Sequence, residues 1–251
     1  MPKYFIDNSF AKGENATLSC SCATHLIKSL RVRIGDQLIL FDGKMNDYVC
    51  TVVNISRVDN TINVIIKDTL PSTGEPPINV FLFQALPKSD KMDYIIQKSV
   101  ELGVHGIVPI STRRVIIRGD IKNKIIRYNR ISQAASEQCM RGIVPTVYDV
   151  TTIKDALDKP LCDMLHIVAY ENEHITTIKL AFLEYLEKKN IHSNKIQSFG
   201  IWIGPEGGFC EDEVDMLIDA GAVPVTLGPR VLRTETAGMV ALVQLLSLWE
   251  C

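Results

Sequence analysis

Gly200-Ile-Trp-Ile-Gly-Pro-Glu-Gly-Gly-Phe209 is answered further along the chain by Leu227-Gly-Pro-Arg-Val-Leu-Arg-Thr-Glu-Thr-Ala237. The first stretch predicts a buried strand over 200–203, a loop of Gly204, Pro205, Glu206, Gly207 and Gly208, and a helix from Glu211. The second repeats the plan, with a strand over 223–227, a loop carrying Gly228 and Pro229, and a helix from about Glu235. Loops of bare glycine between a strand and a helix let backbone N–H groups come close to a ligand, because no Cβ intervenes. Two such loops at the carboxyl ends of strands in one α/β sheet mark the expected ligand crevice. The plainer reading makes them ordinary turns.

Working outward, Val80-Phe-Leu-Phe-Gln-Ala-Leu86 is a near-continuous apolar run, as expected of a strand covered on both faces. Ser89 can cap the helix after it, whose Met92, Ile95, Ile96, Ser99 and Val100 share one face. A strand over 106–110 follows, then a helix over 121–140 burying Ile121, Ile125, Tyr128, Ser132, Ala135 and Cys139. Strand 165–169 and a helix near 176–189 complete five β-then-α units, which predicts an α/β domain with a largely parallel sheet. Upstream, residues 1–70 read as short Val-, Ile- and Thr-rich strands over 16–22, 37–41, 48–53 and 61–67, separated by turn residues, with one helical turn at His25–Leu30. That pattern predicts a small β-barrel. Pro71-Ser-Thr-Gly-Glu-Pro-Pro77 breaks every period and reads as a linker, placing the units at 1–72 and 73–251. The last helix is apolar almost all round from Met239 to Trp249, which suits burial inside a domain or against a second subunit, and a dimer interface is favoured.

The 251 residues are 46% hydrophobic and 22% charged, enough apolar content for a full core, so disorder is not expected. There is no apolar run of membrane-spanning length, and Met1-Pro-Lys-Tyr-Phe-Ile-Asp-Asn8 lacks the apolar core of a signal peptide, so a soluble, cytoplasmic protein with no membrane partner is expected. The 7 cysteines are scattered with no Cys-x-x-Cys, against both a disulfide framework and a metal site. A net charge of −2 hides an asymmetry: residues 88–141 hold 11 Lys and Arg against 5 Asp and Glu, leaving 16 against 24 elsewhere. The basic segment fits an anionic partner or an ordinary solvated face.

Phosphate is a poor ligand for the first loop. No Gly-x-x-x-x-Gly-Lys-Ser/Thr or Gly-x-Gly-x-x-Gly is present, and Glu206 puts negative charge where phosphate would sit. Glu211, Asp212 and Glu213 already complement the positive start of the next helix. An uncharged or cationic group is the better occupant.

These two stretches closely resemble the signature of the bacterial 16S ribosomal RNA uridine-N3 methyltransferases, the RsmE family of the SPOUT superfamily. His25-Leu-Ile-Lys-Ser-Leu-Arg-Val-Arg-Ile-Gly-Asp36, Phe41-Asp-Gly43, Leu86-Pro-Lys-Ser-Asp-Lys-Met-Asp93, Gln97-Lys-Ser-Val-Glu-Leu-Gly-Val104, Ala134-Ala-Ser-Glu-Gln138 with Arg141, and Tyr170-Glu171 agree with it along the whole chain. The resemblance implies a trefoil-knotted α/β methyltransferase domain behind a PUA-like β-barrel, a homodimer, and S-adenosylmethionine as methyl donor. By position, Ala169, Tyr170, Glu171, Ile203, Gly204, Pro205, Glu206, Gly207, Gly208, Leu227, Gly228, Arg230, Val231, Leu232, Thr236 and Ala237 would form the donor pocket. The implied reaction, attack of uridine N3 on the sulfonium methyl, needs no metal. Arg233 is the candidate for stabilising charge on the uracil oxygens, and Glu206 or Glu235 for accepting the N3 proton. Arg233 pairing with Glu235 is the plainer reading. His25, Lys28, Arg31 and Arg33 in the first unit, with Lys88, Lys91, Arg113, Arg114 and Arg141 in the second, are candidate contacts to 16S rRNA within the 30S subunit.

Two positions depart from the family pattern. Lys3 stands where an Arg is expected, and Cys210 where a Ser would cap the helix against Glu213, a task for which a thiol is a weak acceptor. Another SPOUT methyltransferase acting on transfer RNA or a different ribosomal site, and a noncatalytic RNA-binding module, are the alternative readings.

Overall fold

In a computed structural model, residues 3–88, 91–114, 121–157, 164–189 and 198–249 are described. The chain divides into two compact units, 1–75 with 136–144, and 76–135 with 145–251.

The first unit is built on a five-stranded sheet in the order β1-β3-β4-β5-β2. Its elements are β1 (Lys3–Phe5), β2 (Asn15–Leu18), α1 (Cys20–Lys28), β3 (Gln37–Phe41), β4 (Asn46–Ser56) and β5 (Thr61–Pro71). β1 runs parallel to β3, and the other pairings are antiparallel. Period-two alternation sends Tyr48, Cys50 and Val52 of β4 and Ile62, Val64 and Ile66 of β5 into one core with Leu26, Leu38 and Leu40. Two register shifts between β4 and β5, at Val49/Cys50 and Val52/Asn54, bend the long hairpin around that core. The first helix is longer than its sequence suggested. A strand was expected to reach Cys22, but Ala23 and Leu26 face the core one helical step apart, and their burial overrides the weak helix propensity around them.

The stretch expected to be a linker contains the break between the units, at 75/76, and its residues up to Glu75 are held within the first unit. β5 reaches Pro71, and Glu75 accepts from the Arg141 guanidinium at 2.6 Å and from the Gly142 N–H at 2.8 Å. Lys3 is likewise buried: its ammonium pairs with Asp47 at 2.8 Å, donates to the Met140 carbonyl at 3.2 Å and lies over the Phe41 ring. The lysine in place of arginine therefore has a structural explanation.

The second unit is a parallel sheet in the order β12-β10-β11-β6-β7-β8, with β9 also pairing to β7. In chain order it holds β6 (Asn79–Ala85), α2 (Lys91–Glu101), β7 (Gly106–Ser111), α3 (Ile121–Gln138), β8 (Thr146–Val147), β9 (Thr151–Thr152) and α4 (Ile153–Leu157). It ends with β10 (Leu165–Ala169), α5 (Ile178–Lys189), β11 (Ser198–Ile203), α6 (Glu211–Asp219), β12 (Val223–Val225) and α7 (Thr234–Leu246). The last turn of α3, from Ser136, groups with the first unit. The five expected β-then-α units are present. The α2 face is the expected one, Met92, Ile95, Ile96, Ser99 and Val100. Ser89, the expected cap, lies outside the described residues.

β11 is apolar on both sides because both sides are covered. Phe199 meets Phe182 of α5 and Trp249 just after α7. Trp202 stacks on Phe83 of β6 with ring centroids 4.2 Å apart and packs in a cluster with Val214 and Leu217 of α6. α7 buries Ala237, Gly238, Ala241, Leu242, Leu245 and Leu246, leaving Met239 and Val240 half-buried and Val243 exposed. β10, β11 and β12 are neighbours, so the loops that leave their carboxyl ends gather at one edge of the sheet.

Candidate functional site

The loop after β11 closes on itself. The Gly208 N–H donates to the Pro205 carbonyl at 2.9 Å, making a tight turn over 205–208. A Cβ on Gly204 would sit 3.0 Å from the Phe209 nitrogen, and one on Gly208, at φ +68°, would sit 2.9 Å from the Glu171 carboxylate. The loop's own backbone and Glu171 leave no room for a side chain at these two positions. The following helix is capped by carboxylate. Glu213, 5% exposed, accepts from the Cys210 N–H at 2.8 Å and from the Arg113 N–H at 2.9 Å.

The loop after β12 is fixed at its far end. The Arg233 carbonyl starts α7 by accepting from the Ala237 N–H at 2.8 Å. The Thr234 hydroxyl, buried, donates to the Gly204 carbonyl at 2.6 Å and accepts from Gln84 Nε2 at 2.9 Å. One side chain thus joins β6, the β11 loop and the start of α7. The sequence reading missed both Thr234 and Gln84. The available signal was an amide inside the otherwise apolar run of β6, which must find a partner when buried.

The two loops enclose a cavity of about 310 Å³ and, beyond a shared wall, one of about 180 Å³. Ala169, Tyr170, Glu171, Val231, Leu232 and Ala237 line both. The larger adds Ile203, Gly204, Pro205, Glu206 and Gly208, and the smaller adds Leu227, Gly228 and Arg230. Of the expected donor-pocket residues only Gly207 and Thr236 line neither. Lys91, Phe209 and Thr234 in the larger cavity, and Glu173 and His174 in the smaller, were not among them. Val231 is 90% exposed, an apolar side chain standing at the rim.

Charge concentrates on the larger cavity. The Lys91 ammonium lies 3.1 Å from Glu206 and 3.3 Å from Glu235. Burial pushes Glu206 up, but hydrogen bonds from its own N–H, from Lys91 and from the Lys88 N–H outweigh it and hold the carboxyl below its ordinary value. Glu235 is lowered by its own N–H, with Lys91 and Arg233 adding to that against the opposing effect of burial. The two carboxylates, mainly that of Glu206, raise Lys91 in turn. Both glutamates therefore take up a proton less readily than an ordinary glutamate. Arg233 is exposed, lines the larger cavity and makes no ion pair among the described residues.

The expected RNA contacts separate into groups. His25, Lys28, Arg31 and Arg33 are all exposed at the end of α1 and in the turn after it, where Arg31 adopts φ +52°. Lys88, Lys91, Arg113 and Arg114 gather around the β11 loop. The Lys88 N–H meets Glu206 at 3.1 Å, the Arg114 guanidinium donates to the Gly207 carbonyl, and Arg113 pairs with Asp212. Arg141 is a correction: it is 4% exposed and its guanidinium is taken by Glu75, so it does not present charge to RNA.

The residues suit the donor expected from the sequence. S-adenosylmethionine combines a flat ring, a cationic sulfonium and a charged amino-acid end. The walls combine apolar Ile203, Leu227, Leu232 and Ala237 with ionised carboxylates, and the larger cavity falls at the low end of the ~300–1,000 Å³ typical of ligand pockets. Among the described residues no group of His, Cys, Asp and Glu is arranged to hold a metal ion, and no helix is long and apolar enough to cross a membrane.

A parallel α/β unit with this two-loop cavity, preceded by a small β unit, has the architecture of an RNA methyltransferase. The family described as RNA methyltransferase domain matches residues 74–246, and the RNA methyltransferase PUA domain matches residues 23–58. Ribosomal RNA small subunit methyltransferase E of Bacillus subtilis is 32% identical, covering 96% of this chain and 94% of that protein. Its counterpart from Buchnera aphidicola subsp. Acyrthosiphon pisum is 30% identical over 99% of this chain and 94% of its own length. The crystal structure of ribosomal RNA small subunit methyltransferase E from Neisseria gonorrhoeae, bound to S-adenosyl methionine, is similar with a TM-score of 0.87 at 30% identity, covering 99% of this chain and 98% of that one. The chain belongs to the ribosomal RNA small subunit methyltransferase E family.

Proposed function

We propose that this protein transfers the methyl group of S-adenosylmethionine to N3 of a uridine in 16S ribosomal RNA, acting on the 30S subunit in the cytoplasm as a homodimer. The observation that carries the reading is the pair of glycine loops lining two adjoining cavities, with most of the expected donor-pocket residues on their walls and four cationic residues around the β11 loop. The donor pocket is assigned to the residues named from 169–171, 203–208 and 227–237. Apolar walls and loop backbone would enclose the nucleoside, and the carboxylates would face the cationic sulfonium.

Uridine N3 carries a proton and is a weak nucleophile until that proton is lost, so stabilising the negative charge that spreads onto the uracil oxygens is the main catalytic demand. Arg233, exposed on the cavity wall and without an ion pair among the described residues, is assigned to it. The trefoil knot is supported by the path of the chain: from edge strand β12 it returns past β10 to lay α7 on β11 and β6. The outer side of α7, with Met239, Val240 and Val243, supports dimer formation, and a monomer at micromolar concentration by light scattering would remove that part of the proposal.

Incubation with radiolabelled S-adenosylmethionine and 30S subunits, naked 16S rRNA or transfer RNA tests the whole. Label at uridine N3 of the subunit is the expected result. Label in transfer RNA points to a different SPOUT substrate, and no label in any RNA points to a noncatalytic module. Replacing Arg233 by Ala should abolish turnover while leaving donor affinity largely intact; unchanged turnover would take Arg233 out of the mechanism.

A further inference from the structure

We infer that Lys91, expected from sequence to touch RNA phosphate, is a catalytic residue whose ammonium stabilises the uracil anion formed when N3 loses its proton. The inference rests on the function proposed above and assigns a second cation to the same reaction.

The geometry sets Lys91 apart from the other cations around the loop. It begins α2 and is 34% exposed, and its ammonium is gripped from two directions, by Glu206 in the β11 loop and by Glu235 in the first turn of α7. Those two residues lie on the β11 loop and in the first turn of α7, both of which border the cavity, so the position of the charge is set by the same elements that shape the site. An ammonium has three N–H donors, and with the carboxylates at 3.1 and 3.3 Å it keeps donor capacity for a carbonyl oxygen while its charge is held in place. A charge fixed in advance stabilises a transition state without reorganisation, unlike a mobile surface lysine.

The surroundings agree. Among the described residues the charged groups facing Lys91 are Glu206 from the β11 loop and Glu235 from α7. Glu171 after β10 and Arg233 before α7 line the same cavity, and Asp93 on α2 itself is paired with Arg127. Both glutamate carboxyls are held below their ordinary values, so each keeps a proton less readily than an ordinary glutamate. In the step assigned here the N3–H bond breaks, its electron pair stays on N3 and the proton passes to water. The N3 lone pair then forms the N–C bond while the methyl C–S bond breaks, its electrons going to sulfur to release S-adenosylhomocysteine. Lys91 and Arg233 offset the negative charge carried on O2 and O4 during that sequence.

The test is single-turnover methylation of 30S subunits as a function of pH in the wild type, Lys91→Met and Lys91→Arg. It is paired with calorimetric affinity for S-adenosylhomocysteine and filter-binding affinity for 16S rRNA. In Lys91→Met we expect a loss on the order of 10²-fold in rate, the size typical of removing one such donor. Its rising pH limb should move to higher pH, because the uracil anion has lost a stabilising charge. Affinities for S-adenosylhomocysteine and rRNA should change little, and Lys91→Arg should recover most of the rate with the limb near its wild-type position. A limb that stays in place in Lys91→Met overturns the inference. So does a fall in rRNA affinity that accounts for the lost rate, which returns Lys91 to phosphate contact, or an equivalent fall in S-adenosylhomocysteine affinity, which makes it a donor-binding group. Wild-type protein that labels no uridine N3 overturns the proposed function instead, independently of Lys91.

Discussion

Thr234 carries more of the site than its size suggests. Its hydroxyl links Gln84, 150 residues away in sequence, to the Gly204 carbonyl. Thr234→Val keeps the shape and removes both hydrogen bonds, leaving the half-buried Gly204 carbonyl without that donor and the buried Gln84 amide with only its bond to the Ala85 carbonyl. The expected cost is about 1–3 kcal/mol of stability, read from urea unfolding. Because those bonds hold the two loops together, affinity for S-adenosylhomocysteine should fall too; full affinity would show that the loops hold their positions without this link. Gly208 makes a sharper case. Gly208→Ala must place a Cβ at φ +68° and 2.9 Å from the Glu171 carboxylate. The backbone conformation alone costs ~1–2 kcal/mol, and displacement of Glu171 from the wall of both cavities should weaken donor binding in calorimetry. An alanine variant with unchanged donor affinity would mean that Glu171 has room to move without consequence.

Among the elements, those legible in the sequence are the ones with local signals. β10 has the limits expected from its apolar run, and the buried face of α2 matches residue for residue. The two-residue strands β8 and β9 and the short α4 left no period to detect. A knot has no local signature, since it depends on the order in which segments pass one another. The two loops were legible from their glycines, whereas the individual lining residues, Ala169, Tyr170 and Glu171 among them, were expected from the family resemblance. The placement of Lys91 and the partner of Thr234 were not legible, because each depends on elements far apart in the chain. The segment from Pro71 to Pro77 contains the break between the units, as its composition suggested, but the hold on Glu75 was not legible because its partners are distant in sequence. Burial pushes the Glu75 carboxyl up, but the Arg141 guanidinium and the Gly142 and Ile143 N–H groups outweigh it and hold it below its ordinary value. A carboxylate lowered in this way adds stability above its unfolded value, and that stability is lost as the pH falls through the lower folded value. Arg141→Met should leave Glu75 buried without its cation and destabilise the protein by about 3–5 kcal/mol at neutral pH. The difference from wild type should shrink as acid protonates Glu75 in the variant. A difference that does not vary with pH in urea titrations would show that the arginine contributes packing rather than charge.

For the whole molecule, the two units differ in the chemistry they present. The second holds the two-loop cavity, with carboxylates inside and cations around its β11 loop. The first offers an exposed cationic group, Lys28, Arg31 and Arg33, beside His25, with the apolar Leu30 and Ile34 exposed among them. Cutting the chain at Pro77 is a poor way to separate their roles, because residues 136–144 belong with the first unit and Glu75 is the partner of Arg141. Neutralising the exposed cations in the intact chain is cleaner. In the triple variant Lys28→Ser, Arg31→Ser and Arg33→Ser, no buried ion pair among the described residues is touched, so stability and affinity for S-adenosylhomocysteine should stay near wild type. Binding to 16S rRNA should weaken at low salt, and the slope of log affinity against log salt should flatten by roughly 0.7 for each phosphate that is no longer neutralised. Methylation of 30S subunits should fall in step with that affinity, with the rate at saturating RNA retained. A variant that keeps its salt slope would place RNA recognition on the cations around the β11 loop instead, and Lys88 and Arg114 would be the next residues to neutralise.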